Sequence, residues 1–150
     1  MIVCATRGGE GSRALIRAAI EEAKTTDTAL LFLFVANANA FAEDSLALDE
    51  FMKEELLWLG GVVLRLMQLR AREAGVSADI EIIEGNVSDS IISFVQKHEV
   101  TTLFVGAPYG ITTDMFGDDE IERFGMRIES ETNVPVKIIH APNSSKKKRK

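Results

Sequence analysis

The stretch "VCATRGGEGSRAL", running from Val3 to Leu15, carries the residue types and spacing that come nearest to a binding device. An apolar run stops, Gly8, Gly9 and Gly11 follow, and a helix-like pattern begins. Glycines between a strand and a helix let backbone N–H groups approach an anion at the positive end of the helix dipole. Thr6 and Ser12 would bring hydroxyls, and Arg7 and Arg13 would bring charge. Glu10 opposes that reading unless its side chain points outward. The plainer alternative is that the glycines only turn a strand sharply into a helix. The residues themselves leave both open.

Other candidate chemistry is sparse. His98 and His140 are the two histidines, far apart and without a Cys or Asp cluster, so metal ligation is not expected. No Ser-His-Asp spacing and no nucleophile elbow occur. "GEGSRA" satisfies a G-x-G-x-x-A pattern, but Asn37 and Asn39 stand where a dinucleotide site wants an acid for the ribose, which argues against NAD. Cys4 lies inside the first apolar run and reads as a packed, inert thiol. As the single cysteine it makes no internal disulfide, which fits a reducing cytoplasm.

The elements that must position these residues alternate between two periods. Short apolar strands are expected at Ile2–Ala5, in "TALLFLFVANA", "ADIEIIEG" and "TTLFVGAP", and at the closing "PVKIIHA". Helices are expected between them. In the first, Leu15, Ala18, Ala19 and Ala23 share a face and Ser12 serves as N-cap. After a linker, "NANAFAEDSLALD", a long helix is expected from about Leu48 to Ala74, weakened at Gly60-Gly61 and stopped by Gly75. Trp58 and the apolar ridge around it read as core, with a partner surface as the alternative. The third helix, "VSDSIISFVQKHE", turns Ile91, Ile92 and Val95 inward with Ser88 as its cap, and the fourth starts acidic in "GDDEIERFGMRIESET". Strands alternating with helices imply a parallel sheet covered on both faces, with right-handed crossovers. Ligands on such sheets lie beyond the carboxyl ends of the strands where the strand order reverses. That points to the loops Thr6–Gly11 and Gly106–Met115.

The chain of 150 residues suggests one domain, and its 46% apolar content suggests a globular one. No run is long enough for a membrane helix, and no basic stretch precedes the first apolar segment as a secretion signal would require. The formal charge of −6 conceals an uneven distribution, because Lys146–Lys150 are all positive and the remainder is more acidic than the total. An acidic body does not suggest nucleic-acid binding. We expect a domain over residues 1–141 and a disordered basic tail over 142–150.

The segment "EGNVSDSIISFVQKHEVTTLFVGAP" resembles the late half of a universal stress protein domain. Gly85, Ile91 or Ile92, Val95 and the "LFVGA" around Gly106 occupy the places of that family's pattern, and "ETNVPVKII" is similar to its last segment. The resemblance implies an α/β fold of the Rossmann type, a single five-stranded parallel sheet in the order 3-2-1-4-5. It also implies a homodimer in which the fifth strands pair edge to edge, here through Val134, Val136, Ile138 and Ile139. Pro135 would open that strand, where a missing N–H is tolerated. Members of the family that bind ATP carry an Asp near the end of the first strand. They also carry Gly, two residues, Gly, nine residues, Gly and then Ser or Thr after the fourth strand. This chain keeps Gly106, has Tyr109 in place of the next Gly with Gly110 one position late, and has Thr6-Arg7 where the Asp is usual. Four carboxylates in "GDDEIE" occupy the region where phosphates would need donors.

A cytoplasmic stress-response or signalling domain is therefore expected, acting as a homodimer without catalysis and without the usual ATP mode. The alternative is a nucleotide-binding protein or slow ATPase built on the Thr6–Ser12 loop, with ATP or AMP as ligand. Either way the expected cleft comprises Thr6, Arg7, Gly8, Gly9, Gly11, Ser12, Gly106, Tyr109 and Gly110, with Tyr109 packing on the loop or stacking on a base. "RGGEGS" is also similar to the pyrophosphate loop of ATP-cleaving amidating and thiolating enzymes, but Gly11 replaces the Asp and a serine is missing before the glycine pair.

Overall fold

A computed structural model describes residues 1–6, 12–36, 46–106 and 119–140. Five strands, β1 (Ile2–Thr6), β2 (Leu30–Ala36), β3 (Ala78–Glu84), β4 (Thr102–Gly106) and β5 (Val136–Ile139), form one sheet in the order β3-β2-β1-β4-β5. All four pairings are parallel. The helices described are α1 (Ser12–Thr26), α2 (Leu46–Glu73), α3 (Val87–Lys97) and α4 (Asp119–Thr132). The expected fold class and strand order are thus observed.

The central strands bury both faces, as continuous apolar runs must. Alternation along each strand divides the core in two. Ile2, Cys4, Phe32, Phe34 and Phe104 face α1 and α2, while Val3, Leu33, Leu103 and Val105 face α3 and α4. On α1 the inward face holds Leu15, Ala19 and Ala23 as expected, together with Ile16 and Ile20, whereas Ala18 is half-buried. On α3 it holds Ile91, Ile92, Phe94 and Val95.

The long helix α2 stays continuous through Gly60-Gly61 and begins at Leu46, so the end of the segment read as linker is already helical. Gly60 is buried against β2, where a Cβ would lie 2.5 Å from Cδ2 of Phe34. The glycine lets the helix axis approach the sheet, and Gly60, Leu64, Met67 and Ala71 form the buried stripe. Trp58, read as core from the sequence, sits on the other side and is 67% exposed. The error has a simple cause: from Leu56 to Leu69 α2 is apolar nearly all round, so hydrophobicity alone does not say which side meets the sheet. The helix stops at Gly75, whose φ of +87° is costly for any residue with a Cβ. Val76 N–H donates to the Ala71 carbonyl at 2.8 Å and Gly75 N–H to that of Arg72 at 2.9 Å, a Schellman closure.

The cap of α3 also differs from expectation. Asn86 rather than Ser88 is the N-cap, and its side-chain oxygen accepts from Asp89 N–H at 3.1 Å. Ser88 lies one position inside the helix start, where its hydroxyl is no longer placed to cap. Opposite charges tie α3 to α4, where Arg127 contacts Asp89 and Glu131 at 3.0 Å each. Among the described residues no helix is long and apolar enough to cross a membrane.

Candidate functional site

Strand order runs outward from β1 in both directions, first to β2 and β3, later to β4 and β5. The reversal leaves a crevice beyond the carboxyl ends of β1 and β4, because the chain leaves those strands toward opposite faces. Cys4 pairs with Phe104 and Ala5 with Val105, so Thr6 and Gly106 stand side by side at the crevice floor. The pleat turns both toward α1, since Cys4 and Phe104 two residues earlier face that helix. Thr6 is 5% exposed. A Cβ at Gly106 would sit 3.4 Å from Cδ2 of Leu15, so the first turn of α1 rests directly on the end of β4. The structure therefore brings Thr6, Gly106 and the start of α1 at Ser12 together. Arg7, Gly8, Gly9, Gly11, Tyr109 and Gly110, and the side chain of Ser12, lie outside the described residues.

Two helices begin on this rim with opposite electrostatic settings. No acidic residue occupies the first turn of α1, and Arg13 there is exposed. The positive end of this helix dipole and the guanidinium favour an anion. In contrast, α4 opens with Asp119, Glu120 and, one turn in, Glu122. Negative charge at a helix start opposes the approach of an anion to it.

The remaining sequence candidates fall away from the crevice. Cys4 is fully buried two residues before Thr6, and burial pushes its thiol far up from the ordinary range, which keeps it protonated and inert. His98 closes α3, stacked on Phe94 with ring centroids 4.0 Å apart and its Nδ1 2.9 Å from the Phe94 carbonyl. His140 is exposed just past β5. Among the described residues no three metal-ligating side chains gather. Sequence reading did not find Leu15 as the side chain against Gly106; the helical spacing marked it only as core. Nor did it find the Lys53–Glu84 ion pair, 3.0 Å, which joins α2 to the end of β3 on the same rim.

A family model described as "Universal stress protein family" matches residues 1–111, which span both sides of the crevice. The chain belongs to the universal stress protein family. A universal stress protein of Methanocaldococcus jannaschii is 28% identical over 148 residues, covering 94% of this chain and 82% of its own. Among solved structures, the universal stress protein UspA from Lactobacillus plantarum superposes with a TM-score of 0.74 at 17% identity, covering 94% of this chain and 96% of that one. A universal stress protein from Archaeoglobus fulgidus, solved in complex with dAMP, superposes with a TM-score of 0.61 at 18% identity, covering 92% and 95%. At these identities the structural matches speak to the fold, which is the universal stress protein sheet and its helices.

Proposed function

We propose that this universal stress protein acts by binding, as a cytoplasmic homodimer in stress response or signalling. Its ligand is a nucleoside monophosphate rather than ATP, bound in the crevice between β1 and β4. The observation that carries the reading is the electrostatic contrast on the rim. One phosphate suits the acid-free start of α1 above Thr6 and Gly106, whereas a triphosphate reaching toward α4 would meet its carboxylates. Like charges a few ångströms apart cost on the order of 1 kcal/mol per pair. The dAMP complex of the Archaeoglobus relative supports a monophosphate on this fold. The lone buried thiol supports a reducing compartment.

Dimerisation through β5 is supported by its outer edge, which pairs with no other strand among the described residues. Leu103 N–H donates to the Pro135 carbonyl at 3.0 Å, so the N–H and C=O of Val136 and Ile138 point away from β4. Glu129 Oε2 already accepts from Val136 N–H at 2.9 Å. A partner strand must then centre on Ile138, where both groups face outward.

Thermal melting with AMP and with ATP tests the ligand. AMP at a hundred times its dissociation constant should stabilise by about 2.7 kcal/mol. Gly106→Ala should abolish the shift while leaving the apo melting temperature nearly unchanged, because its Cβ meets Leu15 at ordinary contact distance. An equal or larger shift with ATP, or none with millimolar AMP, refutes the reading.

A further inference from the structure

The outer face of α2 has no use in the crevice or at the β5 edge. Phe51, Trp58, Leu59, Val62, Leu66 and Leu69 are 38–67% exposed. At 100° per residue they fall in one stripe, roughly 180° round the helix from buried Gly60 and Leu64, with exposed Glu55 set among them and, about position 60, opposite Arg65. We propose that this stripe is a self-association surface on which α2 of a second copy packs antiparallel, about a twofold axis near residue 60.

Three observations select a second copy as the occupant. The first is register. Phe51 and Leu69 lie nine residues on either side of position 60, and Trp58 and Val62 lie two, so a twofold there sets an aromatic ring against a smaller aliphatic side chain in both pairs. The second is charge. Glu54 and Arg65, both exposed, border the same flank at nearly equal distances from that midpoint. An antiparallel pair faces like flanks together, which puts Glu54 of each copy beside Arg65 of the other; a parallel twofold pair sets this flank against the opposite flank of the partner, where Glu54 and Arg65 do not meet. Gly61 lies between them on that flank, where a Cβ would meet nothing within 4 Å inside the subunit. A helix-interior glycine costs about 1 kcal/mol relative to Ala, and a neighbouring helix approaching closely gives it a purpose. The third is area. With roughly 200 Å² for each aromatic side chain and somewhat less for Leu and Val, the exposed fractions amount to about 600 Å² per copy. Two copies bury about 1,200 Å², the lower bound of a specific interface. The contact is separate from β5 edge pairing, so the two together would build assemblies larger than a dimer.

Sedimentation velocity on the full chain tests this in two backgrounds, wild type and Ile138→Pro, the latter removing the outward N–H of β5. In Ile138→Pro the chain should remain a dimer, and Trp58 emission should shift to the blue with rising concentration. Leu66→Glu, at a half-exposed position, should keep its fold by circular dichroism and weaken that dimer about thirtyfold or more. Glu54→Arg should weaken it several-fold, and Glu54→Arg combined with Arg65→Glu should restore it. Should Ile138→Pro fail to fold, Leu66→Glu in the wild-type background should lower the assembly by one step. The inference is overturned if Leu66→Glu leaves association unchanged. It is overturned equally if the double charge swap is no better than either single change, or if an otherwise monomeric chain buries Trp58 only in lipid vesicles.

Discussion

Adjacent glycines in one helix should respond to the same substitution with opposite signs. At Gly61→Ala the new methyl enters open space, so the helix gains the propensity difference, about 0.5–1 kcal/mol. At Gly60→Ala the same gain is outweighed. Its Cβ would lie 2.5 Å from Cδ2 and 2.7 Å from Cε2 of Phe34, well inside van der Waals contact. Phe34 is a 5% exposed ring in the middle of β2, so it has little room to swing aside. Either the ring leaves its rotamer or α2 lifts from the sheet, and overpacking of this kind costs about 1–3 kcal/mol. The expected net change is a loss of about 1 kcal/mol at Gly60 and a gain of up to about 1 kcal/mol at Gly61. At about 2–4 °C per kcal/mol for a chain of this size, the two variants should melt roughly 4–8 °C apart. Urea unfolding of dilute protein, followed by far-UV circular dichroism, gives the free energies directly. If Gly60→Ala proves as stable as Gly61→Ala, the close seating of α2 on Phe34 is refuted.

The cap and the buried thiol give two further tests. Asn86→Ala should cost about 1 kcal/mol by freeing Asp89 N–H, while Ser88→Ala should change stability by less than about 0.5 kcal/mol; the reverse order in urea unfolding would restore Ser88 as the cap. Burial raises the Cys4 pKa, so the folded chain holds its proton after the unfolded chain has released one. Stability from this group is whole below the unfolded thiol pKa near 8.5 and declines as pH rises beyond it, by at most about 1.4 kcal/mol per pH unit. The alkaline decline should be shallower in Cys4→Ala, and equal slopes would show that the thiol is not held away from water.

The sheet is legible in the sequence because its strands are short, apolar and separated by helical periods, a pattern few folds satisfy. Ile91, Ile92 and Val95 were readable as an inward face for the same reason: α3 is amphipathic, and a polar side leaves one choice for the core. The crevice was legible by topology, since a strand-order reversal fixes where Thr6 and Gly106 meet. Ser88 misled because Ser and Asn are both good caps, and two residues of register decide between them.

The sequence by itself determined which segments are strands and helices, that the sheet is parallel, and that acids stand at the start of α4 and not of α1. Those properties are local, written in spacing and side-chain charge. Only the tertiary structure decided which side of α2 meets the sheet, leaving Trp58 outside and Gly60 beneath Phe34. It decided likewise that Leu15 rests on Gly106, and that Glu129 occupies one donor on the outer edge of β5. The physical reason is common to all three. Each depends on how closely two elements distant in the chain approach, and a helix whose middle is apolar nearly all round, or an edge strand with two equivalent donors, carries no sequence mark of the side that will be used.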